Sequence, residues 1–197
     1  MSTRRAVQHD GKTISATDQP FLHDVAALRR RARERIAEGA VTQGYRADRA
    51  AVIDLLNTAL ATEIVCVLRY KRHGFTAKGI HAEPVAADFH RHAAEEQGHA
   101  DRLAERIVQL GGEPNLSPEG LATRSHSEYD ASTDLVAMIR EDLIAERIAI
   151  ESYSETIRFI GDDDPTTRRM LEEILAVEEH HAEDFAGLLS TLGAPRR

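Results

Sequence analysis

Little in this chain of 197 residues offers a covalent or rigid scaffold. Its single cysteine cannot build a disulfide framework, tryptophan is absent, and only six prolines interrupt the sequence. Aromatic residues make up 5%, so any core has to come mainly from Leu, Ile, Val and Ala. No run of eighteen consecutive apolar residues occurs, which predicts that no helix crosses a membrane. Met1 to Pro20 contains basic residues but no apolar segment of the kind a secretory signal needs, and Asp10 and Asp18 argue against an organelle transit peptide. A reducing cytoplasm is the expected compartment.

What is present is 42% apolar and 29% charged residues with a formal charge of −8, enough for one well-buried core in a soluble protein. The charge is unevenly spread. Residues 1–49 hold ten Lys/Arg against six Asp/Glu, so the acidic excess belongs to the rest of the chain. Residues 1–20 are polar, with Gly11 and Pro20, and read as a flexible tail. Phe21 to Glu38 reads as a short amphipathic helix that, with its linker, fills residues 21–47; Leu22, Val25, Leu28 and Ile36 share one side, and Arg29, Arg30, Arg31, Arg33 and Arg35 crowd the remainder. That cluster suits a solvated outer face, a contact with a neighbouring subunit, or DNA phosphates met by residues 1–38. No aromatic side chains interleave the arginines, so stacking on bases has no support and DNA is not the favoured partner.

Residues 48–197 carry the pattern that organises the chain. Glu96-Gln97-Gly98-His99 recurs eighty-two residues later as Glu178-Glu179-His180-His181. In a helix, Glu-x-x-His puts the carboxylate and imidazole one turn apart on the same face. That face is the apolar one: Val85, Phe89, His92, Leu103 and Ile107 flank the first motif at three- and four-residue steps, as Leu171, Ile174, Phe185 and Leu188 flank the second. Two further apolar stripes each hold a single acid, Glu63 among Val52, Leu56, Cys66 and Tyr70, and Glu146 among Ile139, Asp142, Ala149 and Tyr153. One unit, a helix with an inward Glu followed by a helix with inward Glu-x-x-His, therefore occurs twice.

Folding the halves together predicts an all-α, antiparallel four-helix bundle with four Glu and two His at one level of its core. Its helices are expected over Asp48 to His73 with Gly74 as the stop, Pro84 to Leu110, the region after Ser132-Thr133-Asp134 to just before Gly161, and Pro165 to Leu192, where Gly193-Ala194-Pro195 ends the last. About twenty residues between the second and third suit a crossover along the bundle. No Lys or Arg is expected on the inner stripes beside the acids, so two divalent cations are the natural counter-charge to four carboxylates. Oxygen donors with one imidazole per metal favour iron or manganese over zinc. Tyr70 and Asp142 share the same stripes and are placed to orient the ligands, Asp142 by accepting from a histidine ring N–H. Cys66 reads as a small buried hydrophobe, Met138 and Met170 as core. His73, His90, His92 and His180 are ordinary helix histidines or aids to iron entry.

From about Val52 to Leu192 the chain resembles bacterioferritin, within the ferritin-like superfamily. The likeness rests on Leu55-Leu56-Asn57 before Glu63, Tyr70 seven residues after it, His99-Ala100-Asp101-Arg102, and Gly112-Glu113-Pro114-Asn115-Leu116. It implies a ferroxidase for iron storage, detoxification and oxidative-stress protection, oxidising Fe(II) with O2 or H2O2. It implies two Fe ions per subunit, with Glu96 and Glu178 bridging, Glu63 and His99 on one iron, and Glu146 and His181 on the other. Gln97 stands where bacterioferritin has its haem-ligating methionine, so haem is not expected. The family's short fifth helix has no counterpart, and the N-terminal extension looks like the tails of starvation-induced mini-ferritins. A homo-oligomer is implied, at least a dimer, with 12- and 24-subunit shells both open. The same ligand set serves a di-manganese catalase or a di-iron oxygenase, and a DNA-coating mini-ferritin-type oligomer is the remaining alternative.

Overall fold

The computed structural model describes residues 24–192; the expected tail over 1–20, the start of the basic helix at Phe21 and the break at Gly193-Ala194-Pro195 lie outside the described residues. The chain divides into two units at Ala37/Glu38. In the first, the basic helix is shorter than the sequence suggests: α1 spans Val25–Arg31, capped by Asp24, and turns follow. It buries nothing, and Val25 and Leu28 are about half exposed, so its apolar side has no packing to extend it.

In the second unit four long helices follow, α2 (Arg49–Thr76), α3 (Ala82–Gln109), α5 (Leu135–Ile160) and α6 (Pro165–Leu192), with a one-turn α4 (Leu121–Arg124) inside the crossover. Asp48 caps α2 by accepting from the amides of Ala50 and Ala51, and Asp134 caps α5 by accepting from Ala137 at 3.0 Å. Short links, residues 77–81 and 161–164, make α2/α3 and α5/α6 antiparallel hairpins. The unit begins ten residues before the expected Asp48. Val41 is buried, and Tyr45 and Ala47 pack on the same core cluster.

Gly74 does not stop α2, which runs on to Thr76. The glycine serves a close approach instead: a Cβ there would lie 2.6 Å from Cε1 of His90, whose ring also meets Phe75. By length and composition α2 is apolar enough to cross a membrane, although charged residues interrupt its apolar run. About half of its apolar stretch is buried inside the bundle, as expected of a core helix.

The crossover between α3 and α5 is tied along α2. Asn57 accepts from Asn115 N at 2.7 Å and donates to Glu113 O, and Thr62 Oγ1 accepts from His126 N at 3.0 Å. Arg69 donates to Glu128 O at 2.7 Å and Arg72 to Ser132 O at 2.9 Å. From Asn57 to Arg72 these ties cover about 22 Å of helix at 1.5 Å per residue.

Two apolar clusters form the core. One contains Val52, Leu56, Leu60, Leu103, Ile107, Leu171 and Ile174; the other contains Cys66, Tyr70, Phe89, Met138, Ile139 and Phe185. Beyond the first, Arg106 is buried and donates to Thr167 Oγ1 at 2.7 Å and to both oxygens of Asp164 at 2.9 and 3.0 Å. Asp164 also caps α6 through Thr167 N at 2.9 Å and accepts from Tyr45 Oη at 2.9 Å. Burial alone would raise the Asp164 pKa, but these donors and the Arg106 charge hold it below the usual carboxylate range. A depressed carboxylate stabilises the fold above its unfolded value, and that contribution is lost as pH falls through the folded one.

Asp164→Ala leaves a buried guanidinium unpaired and is expected to cost about 3 kcal/mol, about 6–12 °C in melting temperature for a domain of this size. Thermal melts followed by circular dichroism should show the deficit in full at pH 7 and shrinking below about pH 4; an equal melting temperature at pH 7 would remove this assignment.

Candidate metal centre

Between the two apolar clusters the core becomes polar. Glu63 enters from α2, Glu96 and His99 from α3, Glu146 from α5, Glu178 and His181 from α6, and none is more than 5% exposed. The three-residue spacing within each motif turns both of its side chains to the same interior level. The six form two overlapping groups: Glu63, Glu96, His99 and Glu178 in one, and Glu96, Glu146, Glu178 and His181 in the other. Donor atoms within each group lie within 4.8 Å of one another. Bonds of about 2.1 Å place opposite donors about 4.2 Å apart, so each group can close on a cation with small shifts. Glu96 and Glu178 belong to both.

Electrostatics favour the same use of the site. Burial, with the charges of Glu178 and Glu63, raises the Glu96 pKa well above the carboxylate range, and burial with Glu178 does the same to Glu146. Burial works against the charged form of His99, yet the carboxylates of Glu178, Glu63 and Glu96 gathered around it push it up to about 12; His181, likewise opposed by burial, rises to about 9 beside Glu178 and Glu146. Glu178, though buried, is pulled down to about 2 by His181 and His99, which lie 3.7 and 2.8 Å from its oxygens. Neither ring nitrogen is lined up on it, and both Glu178 oxygens are buried without a hydrogen-bond donor. Oxygens left unsatisfied in this way, at the point where four acids meet two imidazoles, fit cation binding, and protons occupy the site without one.

Two tyrosines hold the outer acids across the bundle. Tyr70 of α2 donates to Glu146 Oε1 of α5 at 2.5 Å, and Tyr153 of α5 donates to Glu63 Oε1 of α2. The sequence shows Tyr153 on an inner stripe without suggesting a role for it. Its signal was the spacing: seven residues after Glu146, as Tyr70 is seven after Glu63.

Arg69 is also buried, contrary to the expectation of inner stripes free of basic residues. It does not neutralise the four acids, because Asp142 takes its Nε at 2.8 Å. Asp142 does face a histidine ring nitrogen, but that of His73 at 2.9 Å rather than either histidine of the six, which corrects its expected role. Burial raises the Cys66 thiol pKa, consistent with a small apolar core residue. Met138 is fully buried and Met170 half-buried, His90 and His180 are exposed, and His92 is fully buried against His181, their rings stacked at 4.1 Å. Burial and the His181 charge drive the His92 pKa down to about 3, which keeps it neutral.

A four-helix bundle that brings a Glu and a Glu-x-x-His from each half to one buried level is the architecture of carboxylate-bridged di-metal proteins. Residues 53–194 match the model of the ferritin-like domain, and the chain belongs to that family. It is 31% identical over 155 residues to the bacterioferritin of Desulfovibrio desulfuricans, covering 76% of this chain and 83% of the relative. A solved structure of the bacterioferritin from that species, described with a diiron site in different catalytic states, superposes with a TM-score of 0.66 at 27% identity over 74% of this chain and 81% of that one. The dodecameric thioferritin of Bacteroides fragilis, a bacterioferritin-related protein, superposes with a TM-score of 0.73 at 33% identity, covering 77% and 90%. The DNA protection during starvation protein of Halobacterium salinarum is 30% identical over 159 residues, covering 75% and 85%.

Tyr70→Phe and Tyr153→Phe each strip a buried carboxylate of its donor. Each should lower the stability of the metal-free protein by about 1–3 kcal/mol, measured by urea unfolding, and by similar amounts because the two contacts are equivalent. An unchanged midpoint in both variants would contradict that geometry.

Proposed function

We propose that the chain is an iron-oxidising storage and detoxification protein whose substrate Fe(II) binds in pairs within one subunit. The observation that carries this reading is the double group of buried donors sharing Glu96 and Glu178, with the Glu178 oxygens unsatisfied. Glu63 and His99 hold one cation, Glu146 and His181 the other, and Glu96 and Glu178 bridge them. Two ferrous ions supply the two electrons that reduce O2 to H2O2, or H2O2 to water. As the cations arrive, Glu96, Glu146 and the two imidazoles give up protons, while Tyr70 and Tyr153 keep Glu146 and Glu63 in place. The diiron site described for the bacterioferritin of D. desulfuricans supports iron over manganese.

A homo-oligomer accompanies this reading. The relative from B. fragilis is a dodecamer, and Phe75, Ile80, Val108 and Phe159 are at least 59% exposed on an isolated chain, which supports burial between subunits in a shell. The cytoplasm is the compartment that suits iron storage of this kind. A second reading, DNA contact through residues 1–38, is favoured by the exposed Arg29, Arg30, Arg31 and Arg33 and by the name of the Halobacterium relative. Its test is a gel shift at low salt that disappears when residues 1–38 are removed.

Glu96→Ala and Glu178→Ala should each slow ferrous oxidation at least about a hundredfold, followed by ferric absorbance after Fe(II) is added in air, with circular dichroism confirming the fold. An undiminished rate in either variant overturns the assignment. Oxygen evolution from peroxide by the manganese-loaded protein, without a ferric load per chain, would select a di-manganese catalase instead.

A further inference from the structure

The bundle repeats itself with an offset of 83 residues between α2 and α5 and 82 between α3 and α6. Glu63 answers Glu146, Tyr70 answers Tyr153, Glu96 answers Glu178, and His99 answers His181. The surroundings of the two histidines break the repeat. His92 and Glu95 of α3, which touch His181, have the apolar Ile174 and Val177 as their counterparts in α6.

His181 is fully buried and is fixed in two directions. The flat of its ring rests on His92, 4.1 Å away with 17° between the planes. At its edge, Nε2 lies 2.7 Å from Glu95 Oε2, while Nδ1 lies 3.1 Å from Glu96 Oε1 and 3.7 Å from oxygens of Glu146 and Glu178. A carboxylate only accepts, so Nε2 is the nitrogen that points its hydrogen at Glu95, and Nδ1 is left to offer its lone pair to a cation. Glu95 is itself held. Arg91 Nη1 donates to the same Oε2 at 3.3 Å, and Arg91 Nη2 donates to Asp184 Oδ2 at 2.8 Å. His99 differs: its Nδ1 faces Glu63, Glu96 and Glu178 at 3.6, 3.2 and 2.8 Å, but among the described residues no carboxylate meets its Nε2.

We propose that Glu95 is a positioning residue for His181: accepting from Nε2–H, it fixes the ring with Nδ1 toward Glu146 and Glu178. The second cation position is thereby made firmer than the first, where Val177 takes the place of Glu95 in the repeat. This rests on the di-metal reading above. A carboxylate on the far nitrogen orients a ligating imidazole and raises its basicity, so the two cations are held unequally although their six ligands are matched in pairs.

Cobalt(II) alone is the probe, titrated by calorimetry into the metal-free full-length protein, with circular dichroism to confirm the fold of each variant. The wild type should bind two ions. Glu95→Val, which copies the counterpart residue, should weaken one of them at least about tenfold and leave the other unchanged. Glu95→Gln, whose amide oxygen can still accept from Nε2–H, should recover most of that loss. Proton NMR of the cobalt-loaded wild type should show two strongly shifted, exchangeable imidazole N–H signals, and Glu95→Val should displace one and leave the other in place. Unchanged affinities and signals in Glu95→Val reduce Glu95 to a surface partner of Arg91 and overturn its role at His181. Glu95→Gln as weak as Glu95→Val assigns the effect to charge alone and overturns that role equally. Either result leaves the di-metal site standing, whereas a wild type that binds no cobalt overturns that site and this inference with it.

Discussion

Four carboxylates packed into an apolar interior with no lysine or arginine assigned to them are the constraint on which the rest depends. Burying an ionised carboxylate without compensation costs several kcal/mol, so such a group binds a proton, a donor or a cation. The fold uses all three. Glu96 and Glu146 are pushed toward the neutral acid, Glu63 and Glu146 accept from tyrosines, and Glu178 keeps its charge beside two imidazoles. The buried arginines do not interfere, because Arg69 and Arg106 are each occupied by an acid of their own, Asp142 and Asp164.

The polar layer is stable because of what surrounds it. Apolar clusters on either side carry the packing, and the crossover is pinned to α2 at Asn57, Thr62, Arg69 and Arg72. The tyrosines act between halves rather than within them: each follows one acid in sequence and serves the acid of the other half. The site is therefore complete only when the two hairpins dock. Packing and ligand placement are then one event, which suits a centre whose donors must converge within a few ångströms.

The internal repeat is close near the middle and lapses away from it. At one end of the bundle Arg69, His73 and Asp142 form a buried charged network; their counterparts in the other half are Ser152, Thr156 and Ala59. Ser152 and Thr156 line an open groove with Thr58, His126 and Phe159. Two halves that share a layer of buried acids and histidines have thus diverged where that layer imposes nothing, and His92 shows the divergence reaching the layer itself.

Much of the fold, and which polar side chains gather in its core, was legible because helices write their buried face into the sequence with a period of 3.6, and a carboxylate on that face is conspicuous. Glu63, Glu96, His99, Glu146, Glu178 and His181, the four long helices and the crossover all followed from that regularity. Tertiary structure decided what spacing along one helix cannot encode, namely which side chains meet across helices. Tyr153 reaching Glu63, Asp142 taking Arg69 and His73 rather than a histidine of the centre, and His92 stacking on His181 are contacts between residues 69 to 90 positions apart. Gly74 looked like a helix stop because local propensity favours one, and it lies inside α2 because His90 of α3 needs the space. Local periodicity sets which residues go inside; the docking of one helix on another sets what each of them touches there.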